Sequence, residues 1–220
     1  VIVTCLMATK NRRHLVQLAL DCFANLRTDG YFEKRLVVVE DGDDNVSDMV
    51  GANIFENRHY MRHEGRQVAK IDAAIKAHPS DVYALWDDDD WHHPERVLHA
   101  ALELRREDRM SVGYNVVEFY VMETGLWYVH VNPEPIDATL VFKSEYWHRR
   151  DMDLTRHNDW VRSLRDQEPR TLVLPNRGMY IAVRHGANTC TLAFKEGDRC
   201  FVPLTPPRLP DGIRNLRERL

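Results

Sequence analysis

Three short runs of aliphatic and β-branched residues constrain this chain most: Val1 to Met7, Leu36 to Val39, and Val82 to Trp86. Each is short and stops at a polar segment, which reads as a strand buried on both faces. Helical patterns separate them. Leu15, Leu18, Ala19, Cys22, Phe23 and Leu26 form one apolar stripe, and Asp29-Gly30 closes that helix. A weaker helix and an extended piece lead to Met61. Gly65 to Ala77 carries Val68, Ile71, Ala74 and Ile75 on one face, and Pro94 opens a further helix through Leu104. The order β-α-β-α-β-α predicts an α/β fold, a mostly parallel central sheet flanked by helices. Such sheets bind ligands beyond the carboxyl ends of their strands. The loop after Met7, the acidic stretch after Val39 and the aspartates after Trp86 are therefore expected in one crevice.

Beyond Asp108 the pattern changes. Val112 to Val121 and Leu126 to Val131 read as two strands around a Glu123-Thr124-Gly125 turn. Ala138 to Lys143 reads as a strand, Ser144 to Arg149 and Asn158 to Arg165 as helices, and Leu172 to Leu174 and Met179 to Val183 as late strands. A proline-rich stretch precedes a short basic helix from Asp211 to Leu220. One domain over 1–220 is expected, with a nucleotide-binding half (1–94), a smaller mixed half (95–202) and a tail (203–220).

The charge balance, 30 basic against 34 acidic residues, gives no support for broad attachment to nucleic acid or to an anionic membrane. No stretch approaches the ~18 consecutive apolar residues of a spanning helix. Cys5 and Cys22 read as small core residues. Cys190 and Cys200 read as thiols, with a bridge between them as the alternative. A cytoplasmic, reducing setting is the expectation, with peripheral membrane attachment left open. The start at Val1, inside a strand and without an initiator Met, reads as trimmed.

The chemistry is concentrated in Asp87-Asp88-Asp89-Asp90. Four adjacent carboxylates at a strand end repel one another and call for a cation. A hard divalent ion, Mg2+ or Mn2+, takes one or two such carboxylates together with substrate phosphate oxygens. The adjacent His92 and His93 suggest a transition-metal site less well, because neighbouring side chains on a strand diverge.

Trp86 through Arg96, with Trp91 and Pro94 after the aspartates, resembles the D-x-D-D-x-W-x-P segment of GT-A glycosyltransferases of the family 2 group. Four other segments agree in order. Val3-Thr4 through Arg12 resembles the first strand and its T-x-N-R loop, and Val38 to Gly42 the V-D-D-G segment. Arg66 through Ile75 resembles the helix after it. His157 to Arg162 resembles the late E-D motif, with Asn158 in place of Glu, and Val183 to Gly186 the R-x-H-G piece.

The resemblance implies a Rossmann-like GT-A fold and transfer from a nucleotide diphosphate sugar, UDP favoured. It implies Thr9, Asn11, Arg12, Arg66 and Lys70 around the nucleotide, with Asp41 on its base. Asp87 would contact ribose or sugar, supported by Asp88, and Asp89 would bind Mn2+ or Mg2+ with His185 close by. Asp159 would be the general base, taking the proton of the acceptor hydroxyl in an inverting displacement. The acceptor is not legible: a glycan, a lipid-linked sugar or another hydroxyl compound, with nucleic acid left open. A nucleotidyltransferase is the rival enzyme reading, but the loop from Ala8 to Arg13 lacks the glycines of a phosphate loop. A nucleotide-sugar-binding module without turnover is the non-enzymatic rival.

Overall fold

The computed structural model describes residues 1–51, 57–106, 109–148, 171–175, 178–186, 188, 202–203 and 209–219. The first half follows the expected alternation. Strand β1 (Ile2–Thr9) leads to helix α1 (Arg13–Ala24), β2 (Glu33–Glu40), the short α2 (Ser47–Gly51), β3 (Arg58–Arg62), α3 (Gln67–Ala77) and β4 (Val82–Leu85). These four strands are mutually parallel, in the spatial order β3-β2-β1-β4. The chain moves outward from β1 to β3, then crosses back to place β4 on the other side of β1. The carboxyl ends of β1 and β4 therefore flank a topological switch point, where open α/β sheets form their crevice.

Alternation along each strand divides the core between two faces. Val3, Cys5, Met7, Leu36, Val38, Ala84 and Trp86 pack with Leu15, Val16, Ala19 and Phe23 of α1. Leu6, Val37, Val39, Tyr83 and Leu85 pack with Val68, Ile71, Ala74 and Ile75 of α3. Cys5 and Cys22 are buried free thiols, as expected. The last carbonyls of α1, orphaned by helix geometry, are met by Lys34, whose Nζ donates to Phe23 O at 2.9 Å and Ala24 O at 2.8 Å.

The second half is more entangled. Strand β5 (Trp91–His92) precedes α4 (Arg96–Arg106), then come β6 (Ser111–Tyr114), β7 (Val116–Val121), β8 (Leu126–Val131) and β9 (Val141–Lys143). Helix α5 (Ser144–His148), β10 (Thr171–Leu174), β11 (Tyr180–Arg184), β12 (Val202–Pro203) and α6 (Asp211–Arg219) complete the described elements. Strands β9, β6 and β10 extend the first sheet to seven strands, with β9 antiparallel to both neighbours. A second sheet has the order β12-β8-β7-β11-β5.

Two expected strands need correction. Val112 to Val121 is not one strand: it breaks at Asn115, and β6 and β7 belong to different sheets. Asn115 N–H donates to Leu174 O at 3.2 Å while its Nδ2 donates to Asn132 O at 2.8 Å, so one residue is tied to both sheets. Nor is Ala138 to Lys143 extended throughout. A 3-10 turn occupies Asp137–Thr139, closed by Thr139 Oγ1 donating to Ile136 O at 2.6 Å. The segment 158–165 lies outside the described residues. No described helix is long and apolar enough to cross a membrane.

Candidate functional site

The loop after β1 and the loop after β2 are locked together. Asn11, at φ +53°, accepts the Asp43 N–H at 2.8 Å and the Asp44 N–H at 3.3 Å through Oδ1. A Cβ on Gly42 would lie 2.3 Å from Asn11 Oδ1, so only glycine permits this approach. Glu40, fully buried, holds the base of the second loop by accepting the Val46 N–H at 3.2 Å and the Tyr60 hydroxyl at 2.9 Å. Lys70 reaches up from α3 to donate to Thr9 O at 2.8 Å and to pair with Asp41 Oδ1. Burial alone would raise Asp41. The hydrogen bond and charge of Lys70 outweigh it and hold the carboxyl below the usual carboxylate range.

The aspartates follow β4 directly. Trp86, beneath them, is buried, donates from Nε1 to Ala19 O at 3.2 Å, and stacks on His92 at 3.9 Å. His92 Nε2 lies 3.2 Å from Asp87 O, which closes the turn from below. Burial and the nearby Arg96 charge keep that imidazole neutral, well below its usual pKa. His93 instead accepts the Glu95 N–H at 3.1 Å, so the two histidines diverge as expected. Trp91 packs on the core. Among the described residues, Trp86 and Trp91 are thus core aromatics.

Asp88, Asp89 and Asp90 are each at most 7% exposed. Arg12 Nη1 donates to Asp88 Oδ1 at 2.9 Å and Asp89 Oδ2 at 3.0 Å. Asp89 Oδ2 is also 3.2 Å from His185 Nε2 and accepts from Asn188 Nδ2 at 3.2 Å. Asp90 is turned away, towards the second sheet, where it accepts the Val183 N–H at 2.7 Å and the Tyr180 hydroxyl. The same hydroxyl is 3.3 Å from Asp87 Oδ2. Burial and the Asp89 and Asp88 charges push Asp87 up to about 7. Burial and Asp89 raise Asp88 to about 6 against the pull of Arg12. Burial and the Asp89 and Asp87 charges raise Asp90 well above the usual range. Among the described residues, Arg12 pairs with two of these four carboxylates and the buried Arg96 adds its charge near Asp87.

These walls enclose a cavity of about 790 Å³, within the range of small-ligand sites. Thr9, Asn11, Arg12, Lys70, Asp87, Asp88 and Asp89 line it. Asp41 stands behind Lys70 and His185 behind Asp89. Arg66, exposed at the start of α3, is not in the lining. Asp159 lies outside the described residues. The sequence did not single out Tyr180, Asn188 or Arg96. Tyr180 stands in a strand recognisable only as apolar, and Asn188 lies two residues past the R-x-H-G piece. Arg96 is wholly buried, donating from Nη2 to Leu85 O at 2.8 Å with its guanidinium 5.1 Å over the Trp86 ring.

The donor set suits a divalent cation of the Mn2+ type in part. A carboxylate oxygen and an imidazole nitrogen converge at Asp89 and His185, which is the small protein ligand set used when substrate phosphates complete the shell. Among the described residues, no group of three or more His, Cys, Asp or Glu side chains is arranged to hold a metal by itself.

Residues 4–164 match the family model described as glycosyl transferase family 2. No curated protein sequence matches the chain. Solved structures do. S. aureus TarS 1-349 in complex with UDP has a TM-score of 0.65 and 14% identity, covering 84% of this chain and 61% of that one. Its complex with UDP-GlcNAc gives 0.67 and 14%, covering 87% and 62%. The mannosyltransferase PcManGT from Pyrobaculum calidifontis, in complex with GDP-Man and Mn2+, gives 0.60 and 14%, covering 83% and 56%. The chain thus spans about three fifths of the length of these neighbours, and at such identity the likeness is one of fold, the GT-A architecture.

Proposed function

The chain belongs to glycosyl transferase family 2, and from that premise we propose that it transfers a sugar from a UDP-sugar to an acceptor hydroxyl with inversion, assisted by a divalent cation. One observation carries the reading. Arg12, Asp88, Asp89 and His185 converge at the carboxyl ends of β1 and β4, beside the Thr9 and Lys70 wall of the cavity. UDP and UDP-GlcNAc in TarS accord with a uridine donor. GDP-Man in PcManGT keeps guanosine as the alternative.

Asp41, fixed by Lys70 and held ionised, would accept from the N–H of the base. Thr9, Asn11, Lys70 and Arg12 would surround the nucleotide, with Arg66 at the mouth. Asp87 and Asp88 would orient ribose and sugar. Asp89 and His185 would hold Mn2+ or Mg2+, which when bound supplies positive charge to the diphosphate leaving group. Arg12, which donates to Asp88 and Asp89, would share its guanidinium with that diphosphate once the cation neutralises those carboxylates. Tyr180 and the Val183 amide hold Asp90 in place in the cavity wall. Asp159 would accept the proton of the attacking hydroxyl, an effect of ~10²–10⁴-fold for a positioned base.

The test is hydrolysis of UDP-sugars with Mn2+ by the wild type and by Asp89→Ala. The reading requires slow hydrolysis by the wild type and a loss of about a hundredfold or more in the variant, the scale of removing one group that stabilises leaving-group charge. Equal rates would refute the assignment of Asp89.

A further inference from the structure

The cavity has a second wall, opposite the aspartates. It consists of Val117 and Phe119 of β7, Tyr180 and Ala182 of β11, and the connection from β8 to β9. That connection brings two polar side chains into the lining, Asn132 and Asp137. Among the described residues no ion pair and no hydrogen bond from another side chain reaches either group.

Both stand on fixed backbone. Asn132 N–H donates to Asn115 O at 2.8 Å, and Asn132 O accepts from Asn115 Nδ2 at the same distance. Asp137 opens the 3-10 turn. There the buried Thr139 Oγ1 accepts the Tyr114 N–H at 2.9 Å, and Arg96 Nη1 donates to Ala138 O at 3.4 Å. Arg96 also holds Leu85 O, the end of β4, so the turn is pinned beside the aspartate segment. Burial pushes the Asp137 carboxyl up to about 6, its own N–H pulling the other way, and no charged neighbour contributes. Arg184, in the same wall, is engaged over the Phe119 ring at 5.0 Å.

A preorganised carboxylate and carboxamide around an apolar, aromatic face match the hydroxyls and the C–H face of a pyranose ring. A nucleotide or diphosphate calls instead for Arg12, Lys70 and a cation held by the aspartates of the opposite wall. We propose that Asp137 and Asn132 form the subsite for the hydroxyls of the transferred sugar, an uncharged pyranose. This rests on the nucleotide-sugar reading above. The turn's attachment to the end of β4 favours the donor sugar over the acceptor, since the diphosphate is held at that same strand end.

Calorimetric titration separates the parts of the donor. Wild type, Asp137→Ala, Asp137→Asn and Asn132→Ala are titrated with UDP, UDP-glucose, GDP and GDP-mannose in the presence of Mn2+. The proposal expects UDP or GDP alone to bind every variant within about twofold. It expects the matching nucleotide sugar to bind Asp137→Ala about tenfold or more weakly than the wild type, as for loss of a charge-assisted hydrogen bond. Asp137→Asn, which keeps an acceptor oxygen, recovers part of that loss. Unchanged nucleotide-sugar affinity in Asp137→Ala and Asp137→Asn overturns the subsite while leaving the nucleotide-sugar reading intact. A wild type that binds none of the four ligands overturns both.

Discussion

The seven-stranded sheet meets the cavity with the ends of its strands, whereas the five-stranded sheet meets it with a face. A strand end delivers a loop, and a loop can hold consecutive charged residues such as Asp87 to Asp90, all within one turn. A face delivers every second residue. On β7 and β11, Val117, Phe119, Tyr180 and Ala182 turn to the cavity, while Tyr120, Ile181 and Val183 turn to the core that Trp86 shares. Charge is thus gathered at the ends and an apolar shape on the face, with the proposed hydroxyl contacts on the connection from β8 to β9 beside it. The two regions nevertheless rest on one apolar cluster, which includes Trp86, Tyr114, Tyr120, Trp127 and Val183.

That shared cluster supplies the largest expected effect. Trp86→Ala removes the platform beneath the aspartates and should cost about 3–5 kcal/mol in urea unfolding, the range for large aromatics in cores. If the two regions form one cooperative unit, far-ultraviolet dichroism and tryptophan fluorescence will unfold together in this variant as in the wild type. Separate transitions would mean that the ends and the face are independent.

The next effect belongs to the turn beside the face. Asp137 has its pKa raised from an unfolded value of 3.8 to about 6, so the folded state favours its protonated form. Its contribution is most favourable below about pH 4, declines as pH rises through 6, and is unfavourable above. Two pKa units would correspond to about 3 kcal/mol for a dry carboxyl, but Asp137 is exposed to solvent, and screening cuts this to about half or less. Asp137→Asn should therefore be more stable than the wild type by about 1–1.5 kcal/mol at pH 8 and equal to it near pH 3.5, as urea unfolding at the two pH values would report. A gain of the same size at both pH values would exclude titration as the cause.

The smallest effect concerns the junction. Asn115→Ala removes the Nδ2 hydrogen bond to Asn132 O that helps tie β6 and β7 to different sheets. It should cost about 1 kcal/mol, the net worth of one such bond. A loss several times larger would show that the break itself, rather than one bond, divides the two sheets.

The ends were far more legible in the sequence than the face, for a physical reason. In the first half each strand is a short apolar run bounded by polar residues and followed by an amphipathic helix, so periodicity and punctuation specify the elements almost alone, even though β1 pairs with β4 across about eighty residues. The segments that hold Thr9, Arg12 and Asp87 to Asp89 stood out because polar residues immediately follow apolar runs, and the family resemblance then singled out Thr9 and Arg12 within the first of them. In the second half β6 pairs with β10 and β7 with β11, across about sixty residues in each case. Nothing local announces those pairings. Asn115 was invisible as a break because buried residues continue on both sides of it. Tyr180 was invisible because its partners, Asp87 and Asp90, come from about ninety residues earlier. Ala138 and Thr139, which belong to the turn that opens at Asp137, were read as the start of a strand because they lead into aliphatic residues, and only the Thr139 hydroxyl reveals the reversal.

Nucleotide binding at the strand ends is the central claim, and a thermal-shift measurement of the wild type with UDP, GDP and their sugars, in Mn2+ or in EDTA, tests it most directly. A bound nucleotide at about a hundredfold above its Kd adds ~2.7 kcal/mol, which for a domain of this size raises Tm by roughly 5–10 °C. The account predicts that rise for UDP and UDP-sugars in Mn2+, much reduced in EDTA. No rise with any nucleotide under either condition would contradict it.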